Sequence, residues 1–192
     1  MTRAAELPPG DIRRRYVASR AALRHALADR VGVAPGDVRF APRSCVHCGS
    51  TRHGKPTLDR GYGRTGVEFN MSHSEDLVAI AVADDVAVGI DIEAGLPQDP
   101  DGIARRFFTH EEQRAPLSPA AFQRLWARKE AALKVGGRGL AAGLSFDVSQ
   151  DRVRLHDGQL VWVRDVPAQA ACAVAAAGRQ PLAVEVGLLD PP

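Results

Sequence analysis

The sequence predicts an α+β fold made of two similar halves, each a helix packed on a small, mostly antiparallel sheet. Two helical stretches, Asp11–Val31 and Ser118–Val135, are each followed by short apolar runs of strand length. Glycine, proline, aspartate and asparagine punctuate those runs, as turns between antiparallel strands require. At 192 residues, with 45% hydrophobic and 25% charged residues, the chain can bury a core without disulfides. The proline-bearing connection Gly95–Pro100 divides it into residues 1–95 and 96–192, with a site expected where the halves meet.

Asp11–Val31 reads as the first helix because Ile12, Tyr16, Leu23, Leu27 and Val31 fall roughly on one face. Asp11 offers a cap and Gly32 a stop. A short extended piece, Val38–Ala41, precedes a loop carrying Cys45, Cys48 and His53, and a glycine-rich loop spans Asp59–Gly66. Val67–Asn70 and Leu77–Ala83 have strand character, and Asp84-Asp85 reads as the turn into a hairpin partner, Val86–Ile92. A short helix is expected around Ile103–Phe108, and Thr109 with Glu111 and Glu112 resembles another helix start. Ser118-Pro119 opens the second long helix, which Gly136-Gly137 ends. Beyond it, Leu144–Val148, Val153–His156, Leu160–Val166, Ala170–Ala176 and Leu182–Val186 read as strands.

Composition narrows the function. A formal net charge of +2 is too mild for a nucleic-acid polymer as partner, although it leaves room for a basic pocket facing a phosphorylated small molecule. Met1–Gly10 has no apolar core of the signal-peptide kind, and no apolar run is long enough to span a bilayer. Three cysteines define no disulfide framework. A cytoplasmic protein is expected.

Three segments carry residues that break local rules. In the strand Val88–Glu93, Asp91 and Glu93 point to one face while Ile90 and Ile92 point to the other. Two carboxylates side by side on a sheet repel unless a cation lies between them, and magnesium suits that place; a solvated strand end is the plainer alternative. In the second helix, Trp126, Glu130 and Lys134 recur every four residues and stack along one stripe, with Lys129 beside them. A surface ion pair would have the same spacing, but the tryptophan argues for partial burial. Phe69-Asn70-Met71-Ser72-His73-Ser74 ends a strand with donors suited to phosphate, or with residues common in turns.

In this order and spacing, Phe69–Ser74, Gly89-Ile90-Asp91-Ile92-Glu93, Arg105-Arg106-Phe107-Phe108 and Trp126-x-x-Lys129-Glu130-Ala131-x-x-Lys134 resemble the 4′-phosphopantetheinyl transferases of the surfactin type, over roughly residues 10–150. That resemblance implies the pseudo-twofold fold of the family in a single chain, acting as a monomer. It implies transfer of phosphopantetheine from coenzyme A to a serine of an apo acyl or peptidyl carrier protein, with release of adenosine 3′,5′-bisphosphate. Such carriers serve fatty-acid, polyketide and nonribosomal peptide synthesis. Asp91, Glu93 and Glu130 match the magnesium ligands (manganese being an alternative), and Glu130 and Lys134 the catalytic pair. Arg15, His53, Lys55, Pro56, Ser72, His73, Asp91, Lys129 and Lys134 match positions that contact coenzyme A. Arg20 and Arg24 are weaker candidates for the nucleotide. For the carrier surface, Arg105, Arg106, Phe107, Phe108 and Phe122 are candidates.

The chain departs from the family pattern twice. It has little before the first helix, where the family usually has an extra strand and basic residues. It also carries Cys45-x-x-Cys48 with His53, and His47 nearby, a zinc-like fragment short of four assured ligands. Two other classes compete. One is a non-catalytic module binding coenzyme A or a carrier protein, which the intact acidic set argues against. The other is a zinc-linked nucleic-acid binder, for which no face is basic enough. Cys172, in an apolar run, is expected in the core.

Overall fold

The computed structural model describes residues 6–45, 48–50, 54–59, 61–62, 66–137, 143–178 and 180–188. His47 and His53 lie outside the described residues, so the zinc fragment is described only at Cys45, which is buried, and Cys48, which is exposed.

Helix α1 spans Asp11–Val31, as expected, with Gly10 as its N-cap residue; at the other end Gly32 takes the left-handed conformation (φ 71°) and returns its N–H to the Ala28 carbonyl. Its apolar packing lies in the second half: Leu23, Leu27 and Ala28 pack with Val38 and Phe69, whereas Ile12 is 62% exposed. Two short strands, β1 (Phe40–Ala41) and β2 (Thr57–Leu58), pair antiparallel across the cysteine-bearing loop. β3 (Val67–Ser74) and β4 (Leu77–Asp84) then form an antiparallel hairpin beside α1.

The tight turn of that hairpin is Glu75-Asp76, with Glu75 at φ 51°. Asp84-Asp85 does not close a second hairpin, contrary to expectation. Asp85 is also left-handed (φ 59°) and donates its N–H to the Gly66 carbonyl, at the base of β3. The chain therefore leaves the first sheet here. β5 (Val88–Glu93) pairs antiparallel with β8 (Ala171–Ala177), at the edge of a four-stranded sheet ordered β5-β8-β7-β6, with β6 at Arg152–Arg154 and β7 at Leu160–Asp165. β5, on the N-terminal side of residue 95, thus pairs with a strand from the C-terminal side.

Two further helices complete the fold: α2 (Pro100–Phe107) and α3 (Pro119–Gly136). α3 starts as expected, the Ser118 hydroxyl accepting from the Ala121 N–H and proline filling the first turn. Thr109 and Glu112 do form a reciprocal capping box, but it closes a single turn and no helix follows. Leu144–Val148 and Leu182–Val186, expected as strands, are not hydrogen-bonded into a sheet. Leu144, Phe146 and Val148 are buried against α3, so their alternation reports burial without a ladder.

α3 covers one face of the four-stranded sheet. Its Ala127, Ala131, Ala132 and Val135 pack with Val161, Val163, Ala173 and Ala175. The opposite face of β5 and β8, carrying Ile90, Ile92, Cys172 and Val174, packs with Ala81 of β4. β5 is therefore buried on both faces, and the face toward α3 buries Asp91.

Candidate functional site

Close approach of α3 to β5 builds the site, and Gly89 permits it. A Cβ at Gly89 would lie 2.1 Å from the Ala131 carbonyl oxygen and 2.7 Å from the Val135 nitrogen. Without that atom the helix backbone rests on the strand. Gly89, Asp91 and Glu93 share one face of β5 by the period of two, and that face meets Glu130 and Lys134 on the helix.

Asp91 is buried at 3% exposure, and Lys134 reaches it: the ammonium Nζ lies 2.5 Å from Asp91 Oδ1 and 3.0 Å from Ser72 Oγ. Ser72 in turn donates to the same Asp91 Oδ1 at 2.7 Å. The other oxygen, Oδ2, is buried and receives no hydrogen bond. Burial pushes the Glu93 carboxyl up from 4.5 to about 7, with the Asp91 carboxylate and then Glu130 adding to the rise. Glu130 is raised as well, by burial first and by Asp91 second. One ammonium therefore faces three crowded acidic side chains.

Among the described residues no three His, Cys, Asp or Glu side chains are grouped, as the chain stands, to hold a metal ion. The donor set nonetheless fits a hard divalent cation. It is all oxygen, it offers an orphaned buried carboxylate atom, and its mutual repulsion calls for positive charge.

Asn70, Ser72 and Ser74 have a role that sequence reading assigned differently. They alternate along one face of β3, and each bonds across to β5 or its end. Asn70 Oδ1 accepts from the Ile90 N–H at 3.0 Å, Ser72 binds Asp91, and Ser74 Oγ accepts from the Ala94 N–H at 3.0 Å. Three side chains thus stitch together strands that belong to different sheets. The period-two spacing of the short polar residues Asn70, Ser72 and Ser74 was the available signal.

His73 points to the other side of β3 and is exposed. It lines a cleft of about 830 Å³ between the first half of α1 and the β3–β4 hairpin, together with Arg15, Tyr16, Arg20 and Asp76. Arg15 is held at the rim by Asp76 at 2.8 Å, and the Arg20 guanidinium lies 5.1 Å from the Tyr16 ring centre, its Nε without a hydrogen-bond partner. Arg24 turns away, donating to the carbonyls of Pro35, Gly36 and Val38.

The other expected cations are engaged in the framework. Lys55 Nζ bonds the Val88 carbonyl at 2.8 Å and the Val135 carbonyl at 3.4 Å, with Glu68 at 3.5 Å, so it ties its loop to the end of α3 and the start of β5. Pro56 beside it is exposed. Lys129, expected at coenzyme A, has no exposed surface. Its ammonium contacts Glu112 at 2.8 Å and the carbonyls of Leu144 at 2.9 Å and Phe146 at 2.5 Å, between the rings of Phe108 and Phe146. Of the expected carrier surface, Phe108 and Phe122 are interior residues, stacked at 5.3 Å and joined by Trp126; Arg105 and Arg106 are exposed.

Residues 87–184, just over half of the chain, match the model of the 4′-phosphopantetheinyl transferase superfamily. The chain belongs to that superfamily. Among relatives, it is 34% identical over 183 residues to the 4′-phosphopantetheinyl transferase HetI of Nostoc sp., covering 88% of this chain and 74% of that one. It is 48% identical over 83 residues to psf-1 of Bacillus pumilus, 40% of this chain and 35% of the relative. Against Sfp of Bacillus subtilis it is 34% identical over 125 residues, 62% of this chain and 52% of the relative. The chain thus spans about three quarters of HetI, about half of Sfp and about a third of psf-1. Its enzyme class is that of the superfamily, and the surfactin-type likeness agrees with the Sfp match. The mixed architecture of helices on small antiparallel sheets agrees with this superfamily too. No helix among the described residues is long and apolar enough to cross a membrane.

Proposed function

We propose that this phosphopantetheinyl transferase moves the 4′-phosphopantetheine of coenzyme A onto a serine of an apo acyl or peptidyl carrier protein, as a cytoplasmic monomer. The observation carrying the proposal is the meeting of Asp91, Glu93, Glu130 and Lys134 where α3 lies on β5. The cleft holding His73, Arg15 and Arg20 opens on the other side of β3 and supplies cationic groups for the phosphorylated nucleotide.

The carrier serine Oγ attacks the pantetheine-side phosphorus. A new P–O bond forms, the P–O bond of the pyrophosphate bridge breaks, and adenosine 3′,5′-bisphosphate leaves with the bond electrons. Asp91, Glu93 and Glu130 would hold a divalent cation such as magnesium, which when bound neutralises charge on the pyrophosphate oxygens. Lys134 stands next to that place and adds a second positive charge. Glu130, on α3, is assigned to take the serine proton, directly or through a water. Asp91, fixed by Ser72 and Lys134, is a positioning and charge-holding group.

Glu130→Gln tests this reading. Transfer, read as the gain in intact mass of an apo carrier protein, is expected to fall by at least about a hundredfold while the fold survives. Turnover near that of the parent would remove Glu130 from the chemistry. No mass gain on any of several carriers by the parent protein, with coenzyme A and magnesium, would refute the transferase reading.

A further inference from the structure

The contact between Lys134 and Asp91 bears on the order in which ligands enter the site. Three acidic side chains stand together at the α3–β5 contact, and the ammonium of Lys134 sits directly on one of them. Asp91 is almost fully enclosed, at 4% side-chain exposure, while the Lys134 side chain is 27% exposed. The carboxylate is thus fixed, held by Ser72, and the lysine is the partner with room to move. Its four-carbon stem has an open side, and the Oγ of Ser72 offers a second resting point at 3.0 Å.

We propose that Lys134 is a resident counter-cation that competes with the divalent metal for Asp91, so that metal and coenzyme A bind cooperatively. This rests on the function proposed above. Without ligand, the ammonium offsets part of the carboxylate repulsion and contests the position a metal would take. Arrival of the pyrophosphate gives the lysine a stronger, doubly anionic partner. Its departure removes the positive charge from Asp91 Oδ1, which keeps only the Ser72 hydrogen bond, alongside the already unpartnered Oδ2. The site thereby disfavours a cation alone and favours it together with the substrate that needs it. Linkage makes the effect reciprocal: whatever factor coenzyme A adds to metal affinity, the metal adds to coenzyme A affinity.

The test is binding of Mn²⁺, followed by the loss of its free-ion electron paramagnetic resonance signal, with and without coenzyme A. The parent protein is compared with Lys134→Met and Lys134→Gln, each checked for folding by circular dichroism. Removing one positive charge in contact with Asp91 is expected to tighten binding of Mn²⁺ alone by about tenfold or more. The further gain from coenzyme A is expected to shrink by a similar factor. Two folded variants that bind Mn²⁺ alone no more tightly than the parent, while the parent takes up Mn²⁺ with coenzyme A, would overturn the counter-cation role and leave the transferase reading intact. Failure of the parent to bind Mn²⁺ even with coenzyme A would overturn both.

Discussion

Replacing Lys129 by methionine separates a framework role from a ligand role at this position. The side chain is 0% exposed, as is that of Glu112, and the two meet at 2.8 Å. Glu112 is also the acceptor for the Thr109 N–H through Oε2 and for the Val148 N–H through Oε1, both at 2.8 Å. The pair thus ties the turn after α2 and the segment before β6 to α3. Methionine keeps the length of the lysine stem but leaves the Glu112 carboxylate buried beside two carbonyls that have lost their donor. Breaking a buried pair in this way costs about 3–5 kcal/mol. For a chain of this size, about 2–4 °C per kcal/mol makes that a drop in melting temperature of roughly 6–20 °C. Glu112→Gln should cost a comparable amount, because its amide NH₂ must face one of three N–H donors.

The assay is urea unfolding and thermal melting of both single variants and of Glu112→Leu/Lys129→Met. The double variant strands no charge, so its loss should fall below the sum of the two single losses. The Thr109 and Val148 N–H groups and the Leu144 and Phe146 carbonyls stay unpaired and keep it below the parent. At temperatures where the single variants stay folded, KM for coenzyme A should change less than threefold. A Lys129→Met protein of parental stability with a KM raised tenfold or more would refute the reasoning and return Lys129 to the ligand.

Two further perturbations follow from the same geometry. Gly89→Ala places a Cβ 2.1 Å from the Ala131 carbonyl, so α3 must shift; a loss of about 1–3 kcal/mol is expected by melting, with transfer falling further than stability because Glu130 and Lys134 move with the helix. Parental transfer by that variant would show that the helix contact does not set the site. The rise of the Glu93 carboxyl to about 7 means that the folded protein holds that proton more tightly than the unfolded chain does. Its stabilisation is complete below about pH 4.5 and is lost as pH climbs through 7. In EDTA, Glu93→Gln should therefore match the parent at pH 4.5 and exceed it at pH 8, by about 1–2 kcal/mol after solvent screening. Equal melting curves at pH 8 would show that Glu93 carries no such strain.

Much of the framework was legible because it follows from local rules. The limits of α1 come from periodicity and Gly32; the start of α3 comes from Ser118-Pro119, and its end from Gly137 in the left-handed conformation. Strand partners were less legible. Asp84-Asp85 has hairpin chemistry, yet its backbone bond is to Gly66, a long-range contact that no local pattern encodes. β5 pairs instead with β8 and lies between α3 and β4, so its neighbours come from parts of the chain remote from Asp84-Asp85. Leu144–Val148 alternates as a strand does, but its carbonyls are taken by Lys129 and Arg128 of α3 and not by a neighbouring strand.

The chemistry shows the same division between types of residue and their directions. Spacing put Asp91 with Glu93 on one strand face and Glu130 with Lys134 on one helix stripe, and the family resemblance implied that the two sets belong to one site. Cationic residues are harder to assign, since a long side chain serves a ligand and a buried carbonyl equally well. Geometry still separates two of them. Lys129 and Lys134 are five residues apart on one helix, which at about 100° per residue sets them roughly 140° apart around its axis. They cannot share a target across a close helix–strand contact. Glu130 and Lys134 differ by about 40° and can. Once Gly89 presses α3 onto β5, the lysine on the stripe of Glu130 must meet the acidic face, and the other must find a partner on the far side. Glu112 is that partner, and its place one turn beyond Phe108 makes the α2–α3 connection part of what holds the helix, and hence Glu130, at the strand.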